Sequence, residues 1–200
     1  AASDAPVAQG NEGAGAGATV GKVFGPQRAM KGGVGSAAIQ VGEVIVAALV
    51  VCNALGDVVD PHTGRLLAGA RQDADSLKLI NIVEAQLRGE TARSLTVGSN
   101  TTIGVVATNA SLNKAQAQRL AQLGHDGLAH SIRPVHTPLD GDTLFGLATG
   151  EIPGPPDMML LSTLAAEATA CATVRAVQHA QSLRIGSDWW PAASALAQPG

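Results

Sequence analysis

The run Val44–Cys52, VIVAALVVC, constrains this chain more than any other stretch: nine apolar side chains follow one another without a polar residue. A run of that length between turn signals reads as a β-strand covered on both faces. It is far short of the roughly 20 residues needed to cross a bilayer. Such a strand demands layers on either side of it, and the material for them is unusual. The 200 residues include only two Phe, two Trp and no Tyr, against 24 Gly. The interior must therefore be built from Ala, Val, Leu and Ile around closely approaching backbone, which suits stacked sheets and helices.

The formal charge of −3, with no cluster of Lys or Arg, offers no footprint for phosphate backbones or anionic membranes. Neither nucleic acid nor a membrane is an expected partner. Cys52 and Cys171 form neither a metal spacing nor a disulfide framework and read as free core thiols. The chain does not begin with Met, and no basic segment followed by an apolar one opens it, so processing or truncation is expected to have removed the true start. Compartment stays open, with the cytoplasm favoured over the periplasm.

Along the chain, residues 1–18 are small and Gly-rich and read as a loop or linker. TVGKVFG, GSAAIQVG and EVIVAALVVCN read as strands divided by glycines. In DVVDPHTGRLLAGAR, Pro61 and Gly64 bracket a hairpin-like turn. A short helix is expected around Ser76–Leu87, then a mobile connector to residue 99. After a strand over Thr102–Thr108, Asn113 and Gln116 form a capping-box signature. Ala115, Leu120, Leu123, Leu128 and Ile132 continue a helix that Pro134 must end. TLFGLATG is the next strand, and a long Ala-rich helix follows with Leu160, Leu164, Ala168 and Cys171 on one face. This order favours an α+β or layered α/β fold in a single domain over residues 1–200.

Most local motifs fail on spacing. GNEGAGAGATVGK lacks the Gly and the Ser/Thr that a Walker loop requires, and its glycines miss the dinucleotide fingerprint. His125 and His130 are five apart, off a shared ligand face, and no Gly-x-Ser-x-Gly elbow occurs. Asp140-Gly141-Asp142 resembles a cation loop but lacks the remaining ligands, so no metal or cofactor is expected. Lys22, in an apolar Gly-flanked segment, would have its pKa lowered by desolvation. Asn53 closes the apolar run, where it can either form a turn or donate to an oxyanion.

TVGSNTTIGVVATN, residues 96–109, crowds Ser99, Asn100, Thr101 and Thr102 against a buried strand. On local pattern alone this is an Asx or Ser/Thr turn. The alternative is a cleavage site. Attack of Thr101 Oγ1 on the Asn100 carbonyl, followed by hydrolysis, frees an α-amine of reference pKa about 7.7–8.0, a built-in base beside the nucleophile. Asn53 is then the candidate oxyanion donor, and Lys22, Asp140 and Asp142 the candidates for orienting amine and hydroxyl.

The blocks GNEGAGAGATVGK, AMKGGVGSA, VCNALGDVVDPHTGRLLAGAR, NTTIGVVATNASLNKAQAQRLAQLGHDGLA and IRPVHTPLDGDTLFGLATGE together resemble the DmpA-like self-processing hydrolases. These comprise L-aminopeptidase/D-amino-acid amidase-esterases, β-peptidyl aminopeptidases and nylon-oligomer endohydrolases. The resemblance runs from about Gly10 to Ala180. It implies a four-layer αββα sandwich of the N-terminal-nucleophile type, cut between Asn100 and Thr101 into an α-subunit-like segment 1–100 and a β-subunit-like segment 101–200. It further implies Thr101 as nucleophile, Lys22 beside it, Asn53 at the oxyanion and Asp140 and Asp142 as the acidic pair. The aminopeptidase branch typically carries Ser then Glu at that pair, so two aspartates look more like the nylon-oligomer branch.

The substrates so implied are small peptides, amino-acid amides or linear oligoamides, and the expected assembly is a homotetramer. Acyl transfer of the self-cleaving ornithine acetyltransferase kind, and an inactive truncated chain, are the competing readings. Relatives in this family are longer on the N-terminal side, where they carry further strands and an active-site tyrosine. This chain has no Tyr, so it is expected to be either a fragment whose sandwich is incomplete there and awaits a missing N-terminal segment, or a shortened relative whose pocket is completed differently.

Overall fold

The computed structural model describes residues 5–91 and 100–197. In chain order the strands are β1 (Thr19–Val20), β2 (Met30–Lys31), β3 (Gly33–Val41), β4 (Val44–Cys52), β5 (Asp57–Val59) and β6 (Leu66–Ala68). After helix α1 (Ile82–Leu87) come β7 (Ile103–Ala110), α2 (Lys114–Ser131), β8 (Ile132–Arg133), β9 (Thr143–Ile152) and α3 (Met158–Gln178). A hairpin, β10 (Leu183–Ile185) with β11 (Asp188–Trp190), follows. The tail of the expected connector, including Ser99, lies outside the described residues.

The principal sheet has the order β3-β4-β7-β9. β4 pairs antiparallel with both β3 and β7, whereas β7 and β9 run parallel, as the intervening α2 allows for a strand–helix–strand crossover. α2 and α3 lie side by side on one face. Gly35 and Gly146 let them close in: a Cβ on Gly35 would sit 2.0 Å from the Ala172 carbonyl oxygen of α3, and one on Gly146 2.1 Å from that of Ala117 in α2. Val46, Ala48, Val50, Val106 and Leu144 from the sheet meet Leu120, Leu123, Leu161, Leu164, Ala165 and Ala168 from the helices in one apolar core. A smaller sheet, β6-β5-β8, flanks this unit.

The other face of the principal sheet is open. Register places Ile45, Leu49, Ile103, Phe145 and Leu147 together on it, and these are 37%, 39%, 42%, 55% and 49% exposed. The expectation that both faces of Val44–Cys52 are buried is therefore corrected: burial alternates along β4, as the two-residue period of a strand requires when only one face is covered. The principal sheet with α2 and α3 thus makes one sheet layer and one helix layer.

Several boundaries also move. TVGKVFG is a strand only at Thr19–Val20, because Gly21 takes φ +74° and turns the chain, so Lys22 lies beyond the strand. α1 begins at Ile82 rather than near Ser76, where the Asn81 side chain caps it by accepting from the Glu84 N–H. The buried stripe of α3 passes through Leu161 rather than Leu160. The capping box at Asn113 and Gln116 and the hairpin turn through Pro61 and Gly64 form as expected. At 21 residues α3 is long and apolar enough to cross a bilayer, but most of it is buried inside the protein as a core helix. Cys52 and Cys171 are free thiols.

Candidate functional site

The sheet topology gathers distant segments at one end. β4 finishes at Cys52 and hands the chain to Asn53, antiparallel β7 starts just after Thr102, and β9, parallel to β7, starts just after Asp142. Asn53, Asn100–Thr102 and Asp140–Asp142 are thus brought to a common edge. Backbone bonds fix the junction: Thr101 N–H donates to the Asn53 carbonyl at 3.1 Å, Gly141 N–H to the Asn100 carbonyl at 2.9 Å, and Thr143 N–H to the Thr102 carbonyl at 2.9 Å.

Thr101 Oγ1 donates to the Asn100 carbonyl oxygen at 2.8 Å. The oxygen of the Asn100–Thr101 peptide bond therefore accepts two hydrogen bonds, from that hydroxyl and from Gly141 N–H. Asn100 is 1% exposed, and its Nδ2 has no hydrogen-bond partner among the described residues. A Cβ at Gly141 would lie 2.8 Å from Thr101 Oγ1, so a side chain there would displace that hydroxyl.

Lys22 reaches the junction from the turn after β1, its own backbone N–H bonded to the Leu55 carbonyl. Its Nζ donates to the Asn53 carbonyl at 3.0 Å and to Asn53 Oδ1 at 2.8 Å. Burial lowers Lys22 to about 8, against the opposing pull of Cys52, Asp140 and Asp142. The neighbouring Cys52 thiol is pushed up to about 12 by burial, which keeps it neutral and a poor nucleophile. Asn53 Oδ1 also accepts the Thr19 N–H at 3.1 Å. With its oxygen engaged twice, the amide keeps Nδ2 as its donating end.

The two aspartates are used differently. Asp142 Oδ1 accepts the Thr102 N–H at 2.8 Å, one residue past the nucleophile candidate. Asp140 Oδ2 instead closes its own turn by accepting from Thr137 N–H at 2.9 Å and Thr137 Oγ1 at 2.8 Å, and its charge reaches Lys22. Two residues escaped sequence reasoning. Gly141 acts through a backbone N–H that its side-chain type does not advertise, and His136 sits with Nδ1 3.1 Å from Asp142 Oδ2. The HTPLDGD spacing was the only available signal for His136.

Residues 1–188 match the sequence profile described as peptidase family S58. An uncharacterized aminopeptidase of Mycobacterium leprae is 46% identical over 151 residues, which is 74% of this chain and 39% of that protein. A 6-aminohexanoate-oligomer endohydrolase of Paenarthrobacter ureafaciens is 32% identical over 148 residues, 74% of this chain and 41% of that protein. The chain spans less than half the length of these curated relatives. Among solved structures, the L-aminopeptidase D-Ala-esterase/amidase of Ochrobactrum anthropi superposes with a TM-score of 0.62 at 21% identity. That match covers 95% of this chain and 51% of that one, whose fold is described as a variant among the Ntn hydrolases. The fold is accordingly of the Ntn-hydrolase kind, and the chain belongs to peptidase family S58.

Proposed function

We propose that this chain is the nucleophile-bearing part of an amide-bond hydrolase that first severs its own Asn100–Thr101 bond. The observation that carries the reading is the Thr101 hydroxyl held 2.8 Å from the carbonyl oxygen of that bond, with Gly141 N–H on the same oxygen at 2.9 Å. Attack of Oγ1 on the Asn100 carbonyl carbon builds a tetrahedral oxyanion beneath the Gly141 N–H. Collapse breaks the C–N bond, the departing Thr101 nitrogen takes up the proton that Oγ1 gave up on attack, and an ester is left on Oγ1. Water then hydrolyses the ester, giving an Asn100 carboxylate and a Thr101 α-amine.

In the mature enzyme the α-amine is the base for Oγ1. The Asn53 carbonyl, 3.1 Å from Thr101 nitrogen, and Asp142, bound to the next N–H, hold it in place. Asn53 Nδ2 serves the substrate oxyanion, and Lys22 fixes the Asn53 amide and adds positive charge. Substrate acylates Oγ1 with departure of its amine, and water releases the acid. Small peptides, amino-acid amides and linear oligoamides fit this chemistry. The Asp140–Asp142 pair and the named activity of the Paenarthrobacter relative favour oligoamides. The open apolar face of the principal sheet supports a second sheet layer, contributed by a further segment of a longer precursor and shielded within a homotetramer.

Intact-mass measurement and N-terminal sequencing of the purified protein test the reading. A fragment beginning Thr-Thr-Ile-Gly is expected, together with an uncut, inactive Thr101→Ala and a slowly cut Thr101→Ser. An active protein lacking that fragment overturns it.

A further inference from the structure

His136 is the only non-glycine residue with positive φ among the described residues, at +54°. Non-glycine side chains seldom adopt that left-handed conformation, and it persists where surrounding contacts favour it. Here it turns the ring toward Asp142, whose side chain is only 3% exposed while that of His136 is 38% exposed. Asp142 Oδ2 faces His136 Nδ1 at 3.1 Å, and Oδ1 accepts the Thr102 N–H at 2.8 Å. One carboxylate thus bridges the imidazole to the backbone adjoining Thr101. From α2 the His125 ring packs against His136 with centroids 4.9 Å apart, and its carbonyl oxygen lies 3.5 Å from His136 Nε2. Burial above all, with the neighbouring His136, holds His125 toward its neutral form against the pull of Asp142 and Asp126. Asp140 is turned away onto Thr137.

We propose that His136 is a positioning residue that clamps the Asp142 carboxylate through Nδ1, so that Asp142 holds the Thr102 N–H and thereby aims Thr101 at the bond to be cut. A buried carboxylate free to rotate would release that N–H, and a donor on its second oxygen removes the freedom. The clamp rests on the self-cleavage reading given above.

Two substitutions separate the donor from the backbone turn. His136→Asn keeps a side-chain N–H near the place of Nδ1 and tolerates positive φ, whereas His136→Gly keeps only the backbone freedom. Self-cleavage of the whole precursor, followed by intact mass, needs no external substrate. His136→Gly is expected to slow it about tenfold or more, the loss of one hydrogen bond to a charged group, while His136→Asn stays near wild type. In an Asp142→Asn background His136→Gly should add little further loss, because both act through one carboxylate. Wild-type speed in His136→Gly, equal slowing in both His136 variants, or independent losses in the double variant overturns the clamp. Wild-type protein that never cleaves before Thr101 overturns the self-cleavage reading itself, so the two failures are distinguishable.

Discussion

Gly141 N–H donates to the Asn100 carbonyl oxygen across 2.9 Å, from a position where any side chain would press on Thr101 Oγ1. A loop between β8 and β9 thus supplies both polarisation of the bond before β7 and the room in which the hydroxyl turns onto it.

Gly141→Ala is therefore expected to slow self-cleavage on the order of 10²-fold, because a displacement well under an ångström spoils an attack geometry. Following conversion of freshly made precursor on a denaturing gel checks this. Unchanged kinetics would remove Gly141 from the cleavage geometry.

Lys22 sets a pH dependence of stability. Its folded pKa of about 8 lies below its ordinary 10.5, so between those values the unfolded chain binds more protons and stability rises with pH. Below pH 8 the full burial penalty, a few kcal/mol at about 1.4 kcal/mol per pKa unit, is in force. In an uncleavable Thr101→Ala background, urea midpoints at pH 7 and pH 10 should show a larger gain for Lys22 than for Lys22→Met. An equal gain in both would refute it.

Asp57 carries the opposite sign. It is 1% exposed, and its two carboxylate oxygens accept the Ala70 and Ile82 N–H groups at 2.8 Å each. Burial nevertheless raises it to about 7. The folded state then binds more protons than the unfolded state from about pH 4 to 7, so stability is greatest below that window and falls as pH rises through it. Relative to Asp57→Asn, the wild-type protein should lose thermal stability between pH 4.5 and 7.5, measured by calorimetry.

Thr102 offers a contrast with its neighbour. Its hydroxyl is fully buried and has no hydrogen-bond partner among the described residues. Thr102→Val removes that unsatisfied oxygen without changing shape. It is expected to leave cleavage near wild type and stability equal or raised by about 1 kcal/mol, read as a thermal midpoint.

How much of this was legible beforehand differs from element to element. The Asn113–Gln116 box and the Pro61–Gly64 turn are local chemistry, written within a few residues, and both form as read. Val44–Cys52 looked doubly covered because a continuous apolar run does not say which of its faces finds a partner, and only the register with β7 shows Leu49 and Ile45 facing outward. Lys22 was readable as a desolvated cation, but the Gly21 turn that takes it out of a strand was not. Asn53, Asn100, Thr101 and Asp142 do meet, through strand pairings that pattern alone cannot specify. His136 stayed invisible because its part depends on a left-handed backbone angle and a single oxygen of Asp142. The β10–β11 hairpin, short and polar at its turn, left no periodic trace.

Thr101 stands at the head of a strand flanked on both sides, by β4 and by β9. The proposed scission there would convert one polypeptide into two still laced together by the β4–β7 ladder, so that a folding reaction of first order would become an association of second order. Once denatured, the mature protein should recover only as fast as its halves can find each other, and dilution alone would make its inactivation irreversible in practice.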